Sequence, residues 1–165
     1  MGLTRGLAVA CATAVAAAGC AAHPPAGDLT GEYREAGVTV TLRLHDGSLT
    51  ATYRPDRAGF HLYSAALPPG GVDGLGRPTV LAAGAGLTAG GPAVANREPI
   101  TLHEVELGVD LPVYPDGPVT LTLPVAVSGT SVEAVIGYAA CSATQCLVPV
   151  TAKTVALRRT GAGNN

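Results

Sequence analysis

Two cysteines in the last third of the chain are the residues best suited to chemistry. Cys141 and Cys146 are separated by four residues and lie between two stretches that read as β-strands. A disulfide between them would close a ring of about six residues, for which chain entropy gives only about 2 kcal/mol of stabilisation. We expect such a ring to be exposed at a hairpin tip, where another thiolate can attack it. Redox exchange and a plain hairpin disulfide both remain open on this spacing alone.

The residues around the cysteines offer little activation of a thiolate. The loop Ser142 to Gln145 contains no Lys, Arg or His, and the spacing is not Cys-x-x-Cys. No helix is predicted after the pair, so no helix dipole lowers a thiol pKa. The pattern favours a relay of electrons over a strong oxidant.

The first 27 residues read as an export and anchoring segment. Arg5 precedes an apolar run over residues 6–18, which is too short to span a bilayer. The run ends in Ala-Ala-Gly-Cys20, which resembles a bacterial lipobox. We therefore predict a signal peptide over residues 1–19, acylation of Cys20 and a tether over residues 20–27. Ordinary cleavage that leaves Cys20 as a free thiol is the alternative.

This leader predicts the compartment of the protein and the number of cysteines that remain free to pair after processing. Cys11 would leave with the signal and Cys20 would carry lipid, which leaves Cys141 and Cys146 as one pair. The protein is then expected in the periplasm or on the outer face of the cytoplasmic membrane, held by its N-terminal lipid. Disulfides persist in such oxidising compartments.

Charge and length exclude several other classes of function. The chain has 165 residues, a net charge of −2 and only 13% charged residues, so a nucleic-acid partner is not expected. Gly74-Leu-Gly76 opens no helix and is a turn, so no dinucleotide or other cofactor is predicted. We expect a single domain and a monomer.

The apolar pattern predicts an all-β fold, an immunoglobulin-like antiparallel β-sandwich over residues 28–157. Asp46-Gly47 joins two alternating stretches in a hairpin. The predicted loose segments are a Gly/Ala-rich connection over residues 84–92 and a frayed, disordered tail over residues 158–165, and Pro124 predicts an edge strand or a bulge. The predicted strands cover residues 38–44, 49–53, 60–66, 79–83, 101–107, 119–127, 132–140 and 148–157.

The stretch Gly137-Tyr-Ala-Ala-Cys-Ser-Ala-Thr-Gln-Cys-Leu-Val-Pro, with the Thr-Ala-Lys-Thr-Val-Ala-Leu157 strand after it, resembles the active-site segment of a known family. The family is the N-terminal periplasmic domain of the thiol:disulfide interchange protein DsbD. Supporting similarity lies in Gly59 to Tyr63, in the Gly-Leu-Gly-Arg-Pro78 loop and in Tyr114 to Pro124. The resemblance covers about residues 28–157.

This resemblance implies an immunoglobulin-like domain that works as a protein-disulfide reductase component. It would take electrons from a membrane-embedded thiol reductase and pass them to oxidised, thioredoxin-like envelope proteins. By residue, Cys146 would form the mixed disulfide with the partner, Cys141 would resolve it and Tyr63 would lie near the pair. The segment His103 to Gly108 would take the place of the family's shielding loop. It contains no aromatic residue, so Leu107 or Val105 would have to shield the disulfide instead.

Two other classes of function stay open. The first is a binding or structural lipoprotein whose fold merely retains a hairpin disulfide. The second is a metal chaperone that binds copper or zinc through Cys141, Cys146 and His103, although the four histidines show no metal-ligand spacing. Glu104 and Glu106 lie on one face of a predicted strand without an acid-base partner, so no catalytic role is predicted for them.

Overall fold

The computed structural model describes residues 28–159 and Gly2. Outside the described residues lie the rest of the predicted signal segment, Cys20, the tether and residues 160–165. The described part folds as strands, turns and loops without a helix. It therefore contains no helix long and apolar enough to cross a membrane. The strands are β1 (Leu29–Glu35), β2 (Val38–His45), β3 (Ser48–Pro55), β4 (His61–Tyr63), β5 (Val80–Ala83), β6 (Leu87–Ala89), β7 (Val94–Ala95), β8 (Ile100–Glu104), β9 (Val109–Tyr114), β10 (Val119–Val127), β11 (Val132–Tyr138), β12 (Ala140–Cys141) and β13 (Val150–Arg159).

Nine of these strands form a large antiparallel sheet in the order β5, β11, β13, β1, β2, β3, β10, β6, with β7 also paired to β10. Its centre is built by two tight hairpins, whose two-residue turns Ala36-Gly37 and Asp46-Gly47 all have positive φ. Such turns match the right-handed twist of the strands that they join. Because β5 at one end lies against β6 and β10 at the other, the sheet curls almost closed.

The other four strands form a small antiparallel sheet in the order β12, β4, β9, β8. Its inner face carries Leu62, Tyr114 and Ala140, which pack into the main hydrophobic core with the inner face of the large sheet. Its outer face and the loop over residues 64–79 build a second, smaller hydrophobic cluster. The prediction of an all-β, immunoglobulin-like antiparallel sandwich is thereby confirmed.

Alternation along the strands explains why the main core lies where it does. In β2, four alternate apolar residues are buried while the residues between them are half-buried or exposed. β3 and β10 show the same period of two, as expected for strands that bury one face. Buried tyrosines close the core at the end nearest the cysteines, where the rings of Tyr53 and Tyr138 meet edge to face at 5.9 Å.

Pro124 lies inside the large sheet, so the predicted edge strand or bulge is wrong. β10 pairs with β3 on one side and with the short strands β7 and β6 on the other. The backbone N–H of Val125 points towards β3, where it donates to the carbonyl of Gly47. Since successive N–H groups alternate in direction, the missing N–H of Pro124 faces the gap between β7 and β6. No ladder bond is lost there.

Several strand boundaries differ from the predicted ones. The predicted strand over residues 60–66 shortens to β4, the strand over residues 101–107 ends at Glu104, and the connection over residues 84–92 contains β6. Arg158 and Arg159, predicted to be frayed, pair with Thr30 and Leu29 in the large sheet. The partner strand β1 was not predicted, and it is this strand that holds the end of β13 in place.

Candidate functional site

The cysteine segment begins where the chain passes from one sheet to the other. Tyr138, at the end of β11, pairs with Val150 in the large sheet, whereas Ala140 in β12 pairs with Leu62 in the small sheet. The predicted hairpin tip is therefore wrong, because β11 and β13 are joined through a strand of the second sheet. A β-bulge precedes the crossing, with Ala152 of β13 at φ 50°. β-Bulges are frequent next to active sites, where they bend the strand and change the direction of its side chains.

Cys141 and Cys146 form a disulfide with an S–S distance of 2.08 Å and Cα atoms 4.1 Å apart. The two residues differ in exposure. Cys141 is only 5% exposed and belongs to the second cluster, whereas Cys146 is exposed. The expectation of an exposed pair is thus correct for one residue and wrong for the other, because β12 lies within the small sheet and the loop then turns outward.

A compact turn holds the loop between the cysteines. The backbone N–H of Ser142 donates to the carbonyl of Gln145 at 2.7 Å, and the hydroxyl of Ser142 accepts the N–H of Gln145 at 3.2 Å. Beyond the loop, the N–H of Leu147 donates to the carbonyl of Ala140 at 2.9 Å. These bonds fix both ends of the loop, so Cys146 is presented to solvent by an ordered turn.

Tyr63 contacts the buried sulfur directly. Its hydroxyl donates to Sγ of Cys141 at 3.2 Å, and the side chain is buried in the second cluster. Burial, with a smaller contribution from the charge of Glu104, raises the pKa of Tyr63. The phenol therefore stays protonated and remains a hydrogen-bond donor towards Cys141 at any physiological pH.

Two shallow grooves lie on either side of the disulfide, each with a volume of about 240 Å³. Both are lined by Tyr63, Leu75 and Cys146. The cap groove also contains Glu104, Leu107, Leu111 and residues 142–145. The arginine groove instead contains Cys141 and the residues Gly74, Gly76, Arg77, Ala139, Leu147 and Pro149. Cys146 therefore borders two surfaces that a partner protein can contact.

Arg77 lines the arginine groove together with Cys141 and Cys146, which the sequence pattern did not predict. One guanidinium nitrogen donates to the carbonyls of Gly70 and Gly74 at 3.0 Å and of Gly76 at 2.5 Å. These bonds hold the Gly-rich loop that carries Leu75 into both grooves.

The segment expected to shield the disulfide is the turn between β8 and β9, residues 105–108. Leu107 lines the cap groove with Cys146 but is itself 60% exposed, while Val105 is 79% exposed and lines neither groove. The turn is closed by N–H groups of Leu107 and Gly108 that donate to the carbonyl of Glu104. Leu107 therefore flanks Cys146 with a small apolar surface and leaves the sulfur accessible.

Of the three histidines in the described residues, His61 lies at the site, whereas His45 and His103 lie away from it. His103 is exposed, bonds Asp110 at 2.7 Å and lines neither groove, so it does not join the cysteines in a metal site. Within residues 28–159 and Gly2, no group of three or more His, Cys, Asp or Glu residues could hold a metal ion. His61 lies beside Cys141 in the small sheet. Sequence reasoning missed it, because only the pairing of β4 with β12 brings the two together.

Comparisons with known proteins found similarity among solved structures. No protein-family model matches the chain, and no curated protein matches it. A solved structure of the DsbD N-terminal domain from Neisseria meningitidis, in its reduced form, is 17% identical and superposes with a TM-score of 0.47. The match covers 83% of this chain and 96% of that one. The cysteine segment resembles the same domain.

Proposed function

We propose that this protein exchanges thiols and disulfides with other proteins through the Cys141–Cys146 pair. The observation that carries the proposal is the difference in exposure between the two residues, 5% for Cys141 against an exposed Cys146. Exchange proceeds by attack of a thiolate on an accessible sulfur, through a mixed disulfide. The reaction requires one sulfur that a partner can reach, which Cys146 provides, and a second thiol beside it that resolves the mixed disulfide, which Cys141 provides.

In the first half of the cycle the oxidised protein accepts two electrons. A thiolate of a membrane-embedded reductase attacks Sγ of Cys146, the Cys141–Cys146 bond breaks, and Cys141 leaves as a thiolate that takes a proton. The second thiol of the reductase then attacks its own mixed disulfide and releases Cys146. The protein is left as a dithiol and the reductase as a disulfide.

In the second half the electrons pass to an oxidised, thioredoxin-like envelope protein. Cys146 attacks the disulfide of that protein and forms a mixed disulfide, and the first partner sulfur leaves and is protonated. Cys141 then attacks Cys146, which restores the Cys141–Cys146 bond and releases the second partner thiol. Tyr63 supports this role for Cys141, because its hydroxyl already bonds the buried sulfur at 3.2 Å.

The grooves and the leader support the same proposal. The apolar residues Leu75 and Leu107 beside Cys146 give a partner protein a surface to contact. The export signal over residues 1–19 and acylation of Cys20 would hold the domain at the outer face of the cytoplasmic membrane, within reach of a membrane reductase. A disulfide could then form and be reduced in turn.

The test compares the two single-cysteine variants, each reduced and mixed with a Cys-x-x-Cys protein whose second cysteine is Ser and whose first is activated as a thionitrobenzoate disulfide. We expect Cys141→Ser to form a stable mixed disulfide rapidly through Cys146. The matched variant Cys146→Ser, which retains the buried sulfur, should react far more slowly. Release of thionitrobenzoate at 412 nm and a non-reducing gel measure both reactions.

Equal rates from the two variants, or no adduct from Cys141→Ser, would contradict the proposal. A structural disulfide alone predicts a further result. The variant with both cysteines changed to Ser would then lose about 2 kcal/mol of stability and keep its cellular role. Accumulation of oxidised envelope partners in cells carrying that double variant would instead support exchange.

A further inference from the structure

One buried polar atom near the disulfide has no partner. Among the side-chain nitrogen and oxygen atoms buried in the described part of the chain, only Nε2 of His61 lacks a hydrogen bond. A buried polar atom left unpaired costs about 1–3 kcal/mol. Such an atom in a folded protein calls for an explanation, and the surroundings of His61 supply one.

His61 faces the buried cysteine across two paired strands. It is the direct partner of Cys141 in the pairing of β4 with β12. Side chains of directly opposed residues share one face, with Cβ atoms about 4.5–5.5 Å apart. Tyr63, two residues further along β4, points to the same face, and its ring lies against that of His61 at 5.6 Å. The hydroxyl of Tyr63 in turn bonds Sγ of Cys141.

The charges around His61 favour a neutral ring with a free lone pair. Burial lowers the pKa of His61, and the charge of Glu104 on β8 opposes that shift only in part. The neighbouring strand β9 places uncharged Val113 opposite Tyr63. Nδ1 is not among the buried unpaired atoms, so it can carry the ring hydrogen and donate to water. Nε2 is then an acceptor that faces the buried side.

The unpaired Nε2 of His61 is explained if its hydrogen-bond donor exists in only one redox state of the cysteine pair. In the disulfide, Sγ of Cys141 carries no hydrogen. After reduction the same sulfur is a thiol, free to turn about its Cα–Cβ bond towards the residue opposite. We propose that His61 is the base that removes the proton from the Cys141 thiol in the resolving step. This inference deepens the proposed function and rests on it.

The resolving step moves one proton and exchanges one disulfide bond for another. Nε2 of His61 takes the proton from Sγ of Cys141, and the resulting thiolate attacks Sγ of Cys146 in the mixed disulfide. The Cys141–Cys146 bond forms, the bond from Cys146 to the partner breaks, and the partner sulfur leaves with the electron pair. The proton on His61 then passes to that thiolate, directly or through water. In the reverse direction, His61 first takes the proton of the attacking partner thiol and then gives it to Cys141 as that sulfur leaves the disulfide.

The experiment follows the reaction of the reduced protein with 5,5′-dithiobis(2-nitrobenzoate) by stopped flow. Attack by Cys146 releases a first thionitrobenzoate, and attack by Cys141 on the resulting mixed disulfide releases a second. In the wild-type protein we expect the second phase to stay fast from pH 8 down through pH 7. In His61→Phe it should be at least about tenfold slower at pH 7 and should rise with pH towards the ordinary thiol pKa of about 8.5.

Two further variants make the outcome decisive. His61→Gln keeps a polar side chain that cannot accept a proton at this pH, so we expect it to be as slow as His61→Phe. His103→Phe changes a histidine of the same small sheet that lines neither groove, and both phases should be unchanged. The first phase should be the same in all of these proteins.

The inference is overturned if His61→Phe keeps the wild-type pH profile, or if His61→Gln restores the wild-type rate. A different result would count against the proposed function itself. If the wild-type protein releases no second thionitrobenzoate, or if Cys141 reacts as the first nucleophile, the pair does not work as an exchanging and a resolving cysteine. Far-ultraviolet circular dichroism of each variant shows that it is folded before its rate is compared.

Discussion

The large sheet and the small sheet differ in what holds them together. The central strands of the large sheet run for seven to ten residues, and Val38, Val40, Leu42 and Leu49 are 0% exposed. Strands of the small sheet run for two to six residues, and the one that carries Cys141 has only two. The large sheet is stabilised mostly by the apolar area that its own strands bury, whereas the small sheet depends on contacts with loops.

Individual hydrogen bonds compensate for the short strands of the small sheet. The hydroxyl of Thr79 donates to the carbonyl of Tyr63 at 2.6 Å, and the hydroxyl of Tyr114 accepts the N–H of Ala65 at 3.0 Å. Arg77 ties the Gly-rich loop in the same way. Because regions with little buried area open at lower free energy than a core, we infer that the surroundings of the disulfide can open while the large sheet stays folded.

The largest expected effect comes from the core of the large sheet. Leu42→Ala removes a fully buried side chain and should cost about 2–5 kcal/mol of stability, as measured by urea unfolding. Leu102→Ala in the half-buried part of the small sheet should cost about 1 kcal/mol. If the two regions are independent, Leu42→Ala will leave the rate of disulfide reduction by dithiothreitol unchanged under native conditions. Equal acceleration of unfolding and reduction would show that they open together.

An intermediate effect is expected where the Gly-rich loop touches Tyr63. Gly76 has φ +73°, and a Cβ there would lie 2.7 Å from a ring carbon of Tyr63 and 2.9 Å from Leu67. Gly74 has φ +84° with no atom within 4 Å of its added Cβ. Both Gly→Ala changes carry a backbone cost of about 1 kcal/mol, and overpacking should add about 1–3 kcal/mol at Gly76 alone.

The two alanine variants also test whether Tyr63 controls the disulfide. Gly76→Ala should displace the ring, weaken its bond to Sγ of Cys141 and speed reduction by dithiothreitol, whereas Gly74→Ala should leave that rate near the wild-type value. Reduction is followed by alkylating the freed thiols and counting them by mass spectrometry. Identical rates in the two variants would mean that the position of Tyr63 does not matter for the reactivity of the pair.

The smallest effect on stability is expected at the turn that flanks Cys146. Leu107 and Val105 are 60% and 79% exposed, so replacing either with Ser should change stability by no more than about 0.5 kcal/mol. Only Leu107 lines the cap groove with Cys146. Leu107→Ser should therefore speed attack by dithiothreitol a few-fold, whereas Val105→Ser should not. A similar rate in both variants would remove any shielding role from Leu107.

The strands that could be predicted are the ones with a strict period of two. The hairpin around Asp46-Gly47 and the strand from Val119 to Val127 follow directly from alternating apolar residues, and the structure confirms both. β1 was missed because its apolar residues are few and only half-buried. β9 was missed because Pro112 interrupts its pattern. In both cases the strand is held by pairing with an adjacent strand, β2 for β1 and β8 for β9, rather than marked by its own apolar pattern.

Prediction of the site from the sequence was limited in the same way. Cys141, Cys146, Tyr63 and Leu107 were found from their types and from a family resemblance, and the structure places all four around the two grooves. Arg77 and His61 were missed, because a lone Arg in a Gly-rich loop and a lone His at the start of a strand carry no local signal. Their positions depend on contacts between segments that are more than sixty residues apart in the chain.

The sequence by itself determined the fold class and the pair of sulfurs, because alternation and cysteine spacing are local properties that short stretches of chain express on their own. Tertiary structure decided that the two sulfurs differ in their exposure to solvent. The chain leaves the large sheet after Tyr138 and enters the small one at Ala140, which buries Cys141 opposite His61 and leaves Cys146 on an outward turn. That difference arises from long-range strand pairing, which gives chemically identical residues unequal surroundings.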